Sequence, residues 1–406
     1  MEKEFLINQK SSITLNVTGG KIDSYRRQEE TTGTVRVYEN GKIGVAGCLG
    51  EPDEEALTAQ AVKALELGIP YECTLDEAAA IEEHHEKEMI SEQDFLPVMQ
   101  NLLDRIGKAC PHFAISHQIR LSKCRNEYHN SKGRKLLNSD NSLEIELLFQ
   151  RRGSGNLMDC YFQYSGHDFC PDRIVESCRT LHDAYDISAD IEEGKWPVIF
   201  TTLDFFPVFL RNFTGEMYAS GGSLVSGKLG EKIFSENLTL KDDRNAATNA
   251  NVCFFDAEGA IAPDYRASII EHGVLKGVGV SKGSAAQLGL PTSCTSCASY
   301  DGVPDTDLAG LYVEPTAKQL QEIVPGKAIY VVFASGGDVT PKGHFAAPIQ
   351  VSYLVENGKI VGRLPELNVS GDFFSLLGED YLGTVHGALA DNVQFCVVNM
   401  DVAKRH

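Results

Sequence analysis

The stretch Gly33-Thr-Val-Arg-Val-Tyr-Glu-Asn-Gly-Lys-Ile-Gly-Val-Ala-Gly47 carries the clearest fold signal in the sequence. It contains two β-prone runs separated by Asn40-Gly41, a pair that favours the positive φ angles of a tight hairpin turn. Residues 12–18 alternate apolar and polar side chains, which is typical of a half-buried strand. The chain is therefore predicted to begin as an antiparallel sheet.

Helical signals flank a second group of strands. Proline and acidic residues at 52–55 predict the start of a helix, because free N–H groups and the helix dipole favour them there. Apolar residues at helical spacing predict further helices over residues 92–110 and 172–185. Alternating segments within residues 112–170 predict antiparallel strands. We expect the acid-rich residues 75–93 to form a solvated linker or a helix face.

The second half of the chain is richer in glycine and in β-forming residues, and Asn357-Gly358 predicts a second hairpin turn. Short strands are predicted at residues 193–202, 251–255, 273–280, 328–333, 349–355 and 392–400, and a helical segment at 205–217. We expect an α+β protein in two parts. Residues 1–190 would form an N-terminal α/β sheet-and-helix domain, and residues 191–406 a β-rich C-terminal domain.

Charge and hydropathy exclude several classes of protein. Lys and Arg total 37 against 57 Asp and Glu, a formal net charge of −20. Nucleic-acid binding needs a cationic surplus that displaces counterions from phosphates, so no nucleic-acid partner is expected. No apolar run approaches the ~18 residues of a membrane span. The first residues lack the basic start and apolar core of a signal peptide, which predicts a cytoplasmic protein.

The eleven cysteines are scattered along the chain. In a cytoplasmic protein most are expected to be reduced and buried as small apolar side chains. Cys294-Thr-Ser-Cys297 has CxxC spacing, but no second such pair completes a structural zinc site. It also lies in a stretch rich in Pro, Ser and Thr rather than between a strand and a helix, which disfavours a redox role.

The sequence lacks the common catalytic motifs. Neither a GxxxxGK[ST] phosphate loop nor a GxSxG nucleophile elbow occurs. The sole His-Glu dipeptide is His85-Glu86, and the positions that HExxH or HExxxH would need are Met89 and Ile90. The adjacent pair His84-His85 would point about 100° apart on a helix and would not converge on a metal. The sequence assigns no catalytic residue, metal ligand or cofactor.

The segment Phe213-Thr-Gly-Glu-Met-Tyr-Ala-Ser-Gly-Gly-Ser-Leu-Val-Ser-Gly-Lys-Leu-Gly-Glu-Lys-Ile233 resembles the TldD/PmbA family, also called modulators of DNA gyrase. Matching stretches lie at residues 24–30, 194–199, 255–259, 270–277, 284–289, 353–360 and 368–373. The resemblance implies a two-part α+β fold and a cytoplasmic bacterial peptidase system that degrades or trims small peptides and unfolded segments. It implies no contact with DNA.

The family has two branches. The TldD branch carries a zinc HExxxH motif and a later cysteine ligand, whereas the PmbA or TldE branch lacks the motif and pairs with the first. Counting back without gaps from residues 229–232, the motif positions fall on Phe206, Pro207 and Arg211. Phenylalanine and arginine do not ligate zinc, and proline cannot act as a base. After Ser335-Gly-Gly337, where the zinc branch supplies its cysteine, the nearest candidate is His344.

The resemblance and the missing ligands favour a non-catalytic subunit of the PmbA/TldE type. It would act as a homodimer, or as a heteromer with a zinc-bearing TldD-type homologue, and would help to hold peptide substrates. The candidate peptide-binding residues are Gly221, Gly222, Ser223, Gly336, Gly337 and His344.

Two alternatives remain open. The chain could be a homodimeric peptide-binding scaffold with no protease partner. It could also be a peptidase with non-standard catalytic residues, in which a nucleophile such as Ser223 or Cys294 would need a base such as His344 within hydrogen-bond reach.

Overall fold

The computed structural model describes residues 1–308, 310–390 and 392–405. The first half is built on a large sheet with three helices. Its strands are β1 (Glu2–Thr18), β2 (Lys21–Glu39), β3 (Lys42–Leu49), β4 (Ala80–His85), β5 (Phe113–Asn130), β6 (Lys135–Arg151) and β7 (Cys160–Gly166). Its helices are α1 (Glu54–Ala64), α2 (Glu92–Ala109) and α3 (Pro171–Tyr185).

In this sheet the strands lie in the order β3-β2-β1-β5-β6-β4, and β7 pairs with β6 beside β4. The hairpin turn predicted at Asn40-Gly41 is confirmed, with φ angles of 52° and 71°. The α1 helix begins where predicted, because the Asp53 carboxylate accepts the N–H groups of Glu55 and Ala56. The α2 helix packs its apolar face on the sheet through Phe95, Met99, Leu102 and Ile106.

The second half contains short helices and a second large sheet. Its strands are β8 (Gly194–Thr201), β9 (Leu240–Asp243), β10 (Arg266–Glu271), β11 (Val274–Leu275), β12 (Ser296–Cys297), β13 (Asp305–Thr306), β14 (Leu311–Val313), β15 (Lys327–Ala334), β16 (Asp338–Val339), β17 (His344–Glu356), β18 (Lys359–Arg363), β19 (Leu367–Asp372), β20 (Tyr381–His386) and β21 (Gln394–Lys404). Its helices are α4 (Thr202–Phe205), α5 (Gly215–Ala219), α6 (Lys282–Leu288), α7 (Leu320–Ile323) and α8 (Phe373–Leu377), and a 3₁₀ segment spans Phe206–Phe213.

The larger C-terminal sheet runs β15-β8-β21-β19-β17-β16, and β15 also pairs with β17. The strands β15, β8, β21, β19 and β17 therefore close into a ring. Alternate residues of these strands belong to two different hydrophobic clusters. Val198 packs in the cluster that contains most of the phenylalanines of the second half, whereas Ile199 packs with residues of the first sheet. This alternation is the period of two that a strand imposes on its side chains.

Two sequence predictions are wrong. Residues 75–93 are neither wholly linker nor helix, because Ala80–His85 forms β4 and pairs in parallel with β6. This strand carries mostly charged and exposed side chains, so no apolar alternation marks it. Residues 251–255 form no regular strand. Their apolar run is buried because Phe254 and Phe255 pack against Leu6 and Tyr128 of the first sheet.

The expected α+β class in two parts agrees with this architecture, while the exact division at residue 190 stays a prediction. A single hydrophobic cluster extends across that position, joining Ile13 and Phe149 to Tyr353 and Val397. Of the strand predicted at 273–280, Val274–Leu275 is the part that forms. Within the described ranges, no helix combines the length and apolar character that crossing a bilayer requires.

Candidate functional site

The three residues predicted to stand at the degenerate motif positions lie on the 3₁₀ segment that follows α4. The Phe206 side chain is fully buried, and its ring centroid lies 5.2 Å from that of Phe205 and 6.4 Å from that of Tyr381. Pro207 and Arg211 are exposed. The Phe206 ring belongs to an aromatic cluster that also includes Phe205, Phe209, Phe213, Phe234, Phe345, Phe373 and Tyr381. Its role in this structure is packing.

The first candidate loop connects α5 to the chain leading to β9. Gly221, with a φ angle of 76°, and Gly222 are exposed at its tip. Ser223 is buried: its hydroxyl donates to the carbonyl of Asn212 at 2.6 Å and accepts the N–H of Val225 at 3.0 Å. The hydroxyl therefore stabilises the turn and is not presented to a substrate.

The second candidate loop joins β15 to β17 through β16. Gly336 is exposed with a φ angle of 87°. A Cβ at Gly337 would lie 3.0 Å from the Phe345 ring, so glycine permits this close approach. His344 is exposed at the first position of β17, and its N–H donates to Thr340 Oγ1 at 3.1 Å.

The fold brings these two loops together over the aromatic cluster. A Cβ at Gly343, in the turn before β17, would lie 3.6 Å from Leu224 Cδ1 of the first loop. Phe345 packs on Phe209 below, with ring centroids 5.6 Å apart. The result is a shared surface, which we call the two-loop surface, formed by residues 221–224 and 335–344.

Cys294 lies elsewhere. Burial and the nearby charge of Asp256 raise the pKa of its thiol to about 11, so it is protonated at neutral pH. Among the described contacts, none joins Ser223, Cys294 and His344. The structure does not assemble these three residues into a nucleophile–base pair.

A buried ionic cluster, which sequence reasoning missed, joins the two halves of the chain. The Glu4 carboxylate of β1 accepts hydrogen bonds from the Arg36 guanidinium and the Tyr38 hydroxyl, both at 2.8 Å, and from the Tyr128 hydroxyl at 3.0 Å. Arg36 also donates to the carbonyl of Ala257, across the division between the halves. The sequence signal that pointed to this region was the resemblance of residues 255–259 to the TldD/PmbA family.

That match, Phe255-Asp-Ala-Glu-Gly259, supplies two more buried carboxylates. Asp256 accepts the N–H groups of Glu258 and Ala260, each at 2.9 Å, which fixes the turn. Glu258 accepts the Tyr71 hydroxyl at 2.7 Å and the N–H of Lys282 at 2.8 Å. Burial, reinforced by the charge of Asp256, raises the pKa of Glu258 to about 7.

A second missed feature is a groove beside β4. The ring of His85 lies 6.3 Å from that of His167, whose Nε2 is 2.7 Å from the buried carboxylate of Asp140. That hydrogen bond raises the pKa of His167. Two adjoining cavities of about 370 and 670 Å³ share His167 and Asp168. Among the residues described, no group of three or more His, Cys, Asp or Glu side chains is arranged to hold a metal.

Comparison with known proteins places this architecture in a class of metallopeptidase-like chains. The family model described as the PmbA/TldA metallopeptidase C-terminal domain matches residues 193–382, and the model for metallopeptidase domain 1 matches residues 4–67. Together they cover more than half of the sequence. The chain belongs to the TldD/PmbA family.

The solved structures agree in fold. TldE from Thermococcus kodakarensis superposes with a TM-score of 0.82 at 18% identity, over 99% of this chain and 96% of that one. A protein from Thermotoga maritima, described as a modulator of a DNA gyrase, gives a TM-score of 0.76 at 18% identity with the same coverage. A metalloprotease from Methanothermobacter thermautotrophicus is 28% identical over 192 residues. That alignment covers 45% of this chain and 41% of the relative, so the match spans less than half of it.

The zinc implied by one branch of the family does not fit the residues present. A catalytic zinc needs three protein ligands drawn from His, Cys, Asp and Glu. The positions that the sequence predicts for the motif hold a buried phenyl ring at 206, a proline at 207 and an exposed guanidinium at 211. His344 on the two-loop surface is a single imidazole, which does not by itself supply the three ligands of a catalytic zinc.

Proposed function

We propose that this chain is a non-catalytic, PmbA/TldE-like subunit of a cytoplasmic protease. It would work with a zinc-bearing TldD-type homologue in the degradation or maturation of small or unfolded peptides. The observation that carries the proposal is the placement of Phe206 inside the aromatic cluster.

That placement makes the position unsuited to catalysis in two ways. A ligand at residue 206 would have to replace a ring packed against Phe205 and Tyr381, and would enter an apolar interior. Arg211, five positions later, carries a permanent positive charge that repels a divalent cation. On this proposal the chain keeps the fold of the family, and packing replaces the chemistry of the motif.

The two-loop surface is the proposed contact for peptide. Gly221, Gly222 and Gly336 leave the backbone open to solvent, and β16 is the terminal strand of its sheet. An extended peptide that adds to a sheet edge is held by main-chain hydrogen bonds, which suits substrates of varied sequence. This surface would form one wall of a peptide-binding chamber, and the catalytic zinc would lie in the partner subunit.

The peptidase alternative has less support. The hydroxyl of Ser223 is engaged by Asn212 and Val225, and the raised pKa of Cys294 keeps its thiol protonated. An activated nucleophile needs the opposite circumstances, namely an adjacent base or a lowered pKa.

The test is to purify the chain alone and with its zinc-bearing homologue from the same organism. We expect the isolated chain to contain no stoichiometric zinc by elemental analysis, and to co-elute with the homologue as a stable complex. Stoichiometric zinc in the isolated chain, together with failure to bind the homologue, would contradict the proposal.

A further inference from the structure

Two strands of the first sheet run towards each other along one side of β6. The β4 strand is parallel to β6 and ends where His85 pairs with Asp140, whereas β7 is antiparallel to β6 and ends where Gly166 pairs with Leu143. The other side of β6 is occupied by β5 along its whole length. Because β4 and β7 meet head to head, the chain leaves the sheet after both of them, and the residues that follow border a crevice.

The carboxylate of Asp140 fixes the walls of this crevice. Its Oδ1 is 2.7 Å from His167 Nε2, and its Oδ2 accepts the backbone N–H of Asn251 at 2.8 Å. The Asp140 side chain is fully buried. It thereby holds both the segment that follows β7 and the loop 245–251 of the second half, so the crevice exists without a ligand.

The more enclosed part of the crevice is the cavity of about 370 Å³. This volume lies in the range of ~300–1,000 Å³ that is typical of sites for small molecules. The apolar part of its lining comes from β7, α3 and the loop 245–251, through Phe162, Ile174, Ala246 and Ala247. The cavity shares no lining residue with the two-loop surface, so it is a separate candidate site.

Two elements bring basic side chains to this cavity. Arg173 is in the first turn of α3 and His386 is the last residue of β20, and both are exposed and line the cavity. A cation is unfavourable in the first turn of a helix, where the helix dipole is positive, so helix stability does not account for Arg173. A carboxylate ligand would account for it, because a guanidinium binds a carboxylate through two parallel hydrogen bonds.

The rest of the polar lining has the same preference. The hydrogen bond to Asp140 raises the pKa of His167, which favours its cationic form. Among the described residues that line the cavity, the one carboxylate is that of Asp168, and it contacts Lys87 Nζ. The cavity is therefore rich in cations and hydrogen-bond donors, although the chain has a formal net charge of −20.

From these observations we infer that the cavity binds a small organic carboxylate. The anionic end is recognised by Arg173 and His386, and the apolar end packs against Ile174 and Phe162. Inorganic phosphate fits less well, because it has no apolar part to place against these side chains. The inference is independent of the proposed peptidase role.

The test is titration calorimetry of the purified chain with 4-methylpentanoate, a branched aliphatic carboxylate. The neutral amide of the same shape, 4-methylpentanamide, and inorganic phosphate are the comparison ligands. We expect 4-methylpentanoate to bind, and the amide and phosphate to bind at least about tenfold more weakly, because the first lacks the charge and the second the apolar part. The peptide N-acetyl-Ala-Ala-Leu separates a free acid from the end of a peptide, and it is expected to bind more weakly because it exceeds the enclosed cavity.

Substitution then tests which side chains recognise the ligand. Arg173→Gln and His386→Gln should each weaken the binding of 4-methylpentanoate by at least about fivefold. Arg179→Gln is the matched control and should leave binding unchanged, because Arg179 is exposed on the same helix, contacts Glu176 at 2.7 Å and does not line the cavity. Thermal melting checks that all three variants are folded.

Four results would overturn the inference. They are no binding of 4-methylpentanoate by the wild type, equal affinity for its amide or for phosphate, tighter binding of the peptide, and unchanged affinity in both cavity variants.

Discussion

The ring of Tyr128 lies directly against the backbone of Gly259, so closely that a Cβ at residue 259 would overlap its ring carbons. Tyr128 belongs to β5 of the first sheet, and Gly259 ends the buried turn that carries Asp256 and Glu258. The same tyrosine donates its hydroxyl to Glu4. This contact therefore fixes the second half of the chain onto the first.

We expect Gly259→Ala to destabilise the protein by at least about 3 kcal/mol. The φ angle of 68° is costly for alanine, and the added methyl group collides with the Tyr128 ring. Gly221→Ala is the control, since it shares a positive φ but has no atom within 4 Å of the added Cβ. It should cost about 1 kcal/mol. Urea unfolding measures both, and equal losses would contradict the role of the Tyr128 contact.

The degenerate motif can be tested for a packing role by truncation. Phe206→Ala should cost about 3–5 kcal/mol, because it opens a cavity in the aromatic cluster. Arg211→Ala removes an exposed side chain from the same segment and should change stability by less than about 0.5 kcal/mol. Chemical denaturation of both variants measures the two changes in stability. A small loss at Phe206 would mean that the cluster does not depend on it.

Glu258 should make stability depend on pH. Its pKa is about 7 in the folded chain against an ordinary 4.5, so the native state holds the proton more tightly. Its contribution is complete below about pH 4.5 and is lost as pH rises to about 7, a change of about 3 kcal/mol. Glu258→Gln cannot ionise, so its stability relative to wild type should improve from pH 5 to pH 8. A difference that is constant over this range would contradict the raised pKa.

The sequence predicted those features that local chemistry determines. The turn at Asn40-Gly41 needs positive φ angles, and Asp53 caps the helix that follows it. Both the turn and the start of that helix could therefore be predicted from the local sequence. The β4 strand was missed because its pairing with β6 is non-local and its side chains are charged and exposed. At 251–255 the predicted strand does not form, since Phe254 and Phe255 pack against Leu6 and Tyr128 of the first sheet without regular strand pairing.

The candidate site was predictable to a similar degree. Glycines at 221 and 336 indicated loops, and the two loops approach each other where a Cβ at Gly343 would lie 3.6 Å from Leu224 Cδ1. Their proximity depends on strand pairing that no local pattern reveals. The local sequence likewise did not reveal that Ser223 is buried and that its hydroxyl donates to the carbonyl of Asn212. The ionic cluster around Glu4 joins residues more than 200 positions apart.

Use of the two-loop surface by peptide can be tested with a bulky substitution. His344→Trp would crowd the loops and should reduce the stimulation of peptide cleavage by the zinc-bearing homologue, mainly through a higher KM. Glu356→Trp is the matched control, as it is exposed at the other end of the same strand, β17. Equal behaviour of the two variants in the steady-state assay would argue against peptide binding at this surface.

The most direct test of the central claim is the rate at which a fluorogenic peptide library is cleaved by the chain alone, by its zinc-bearing homologue alone, and by an equimolar mixture. The account predicts no cleavage by the chain alone, and a rate for the mixture that exceeds that of the homologue and disappears with a zinc chelator. Cleavage by the isolated chain, or a mixture no faster than the homologue, would contradict it.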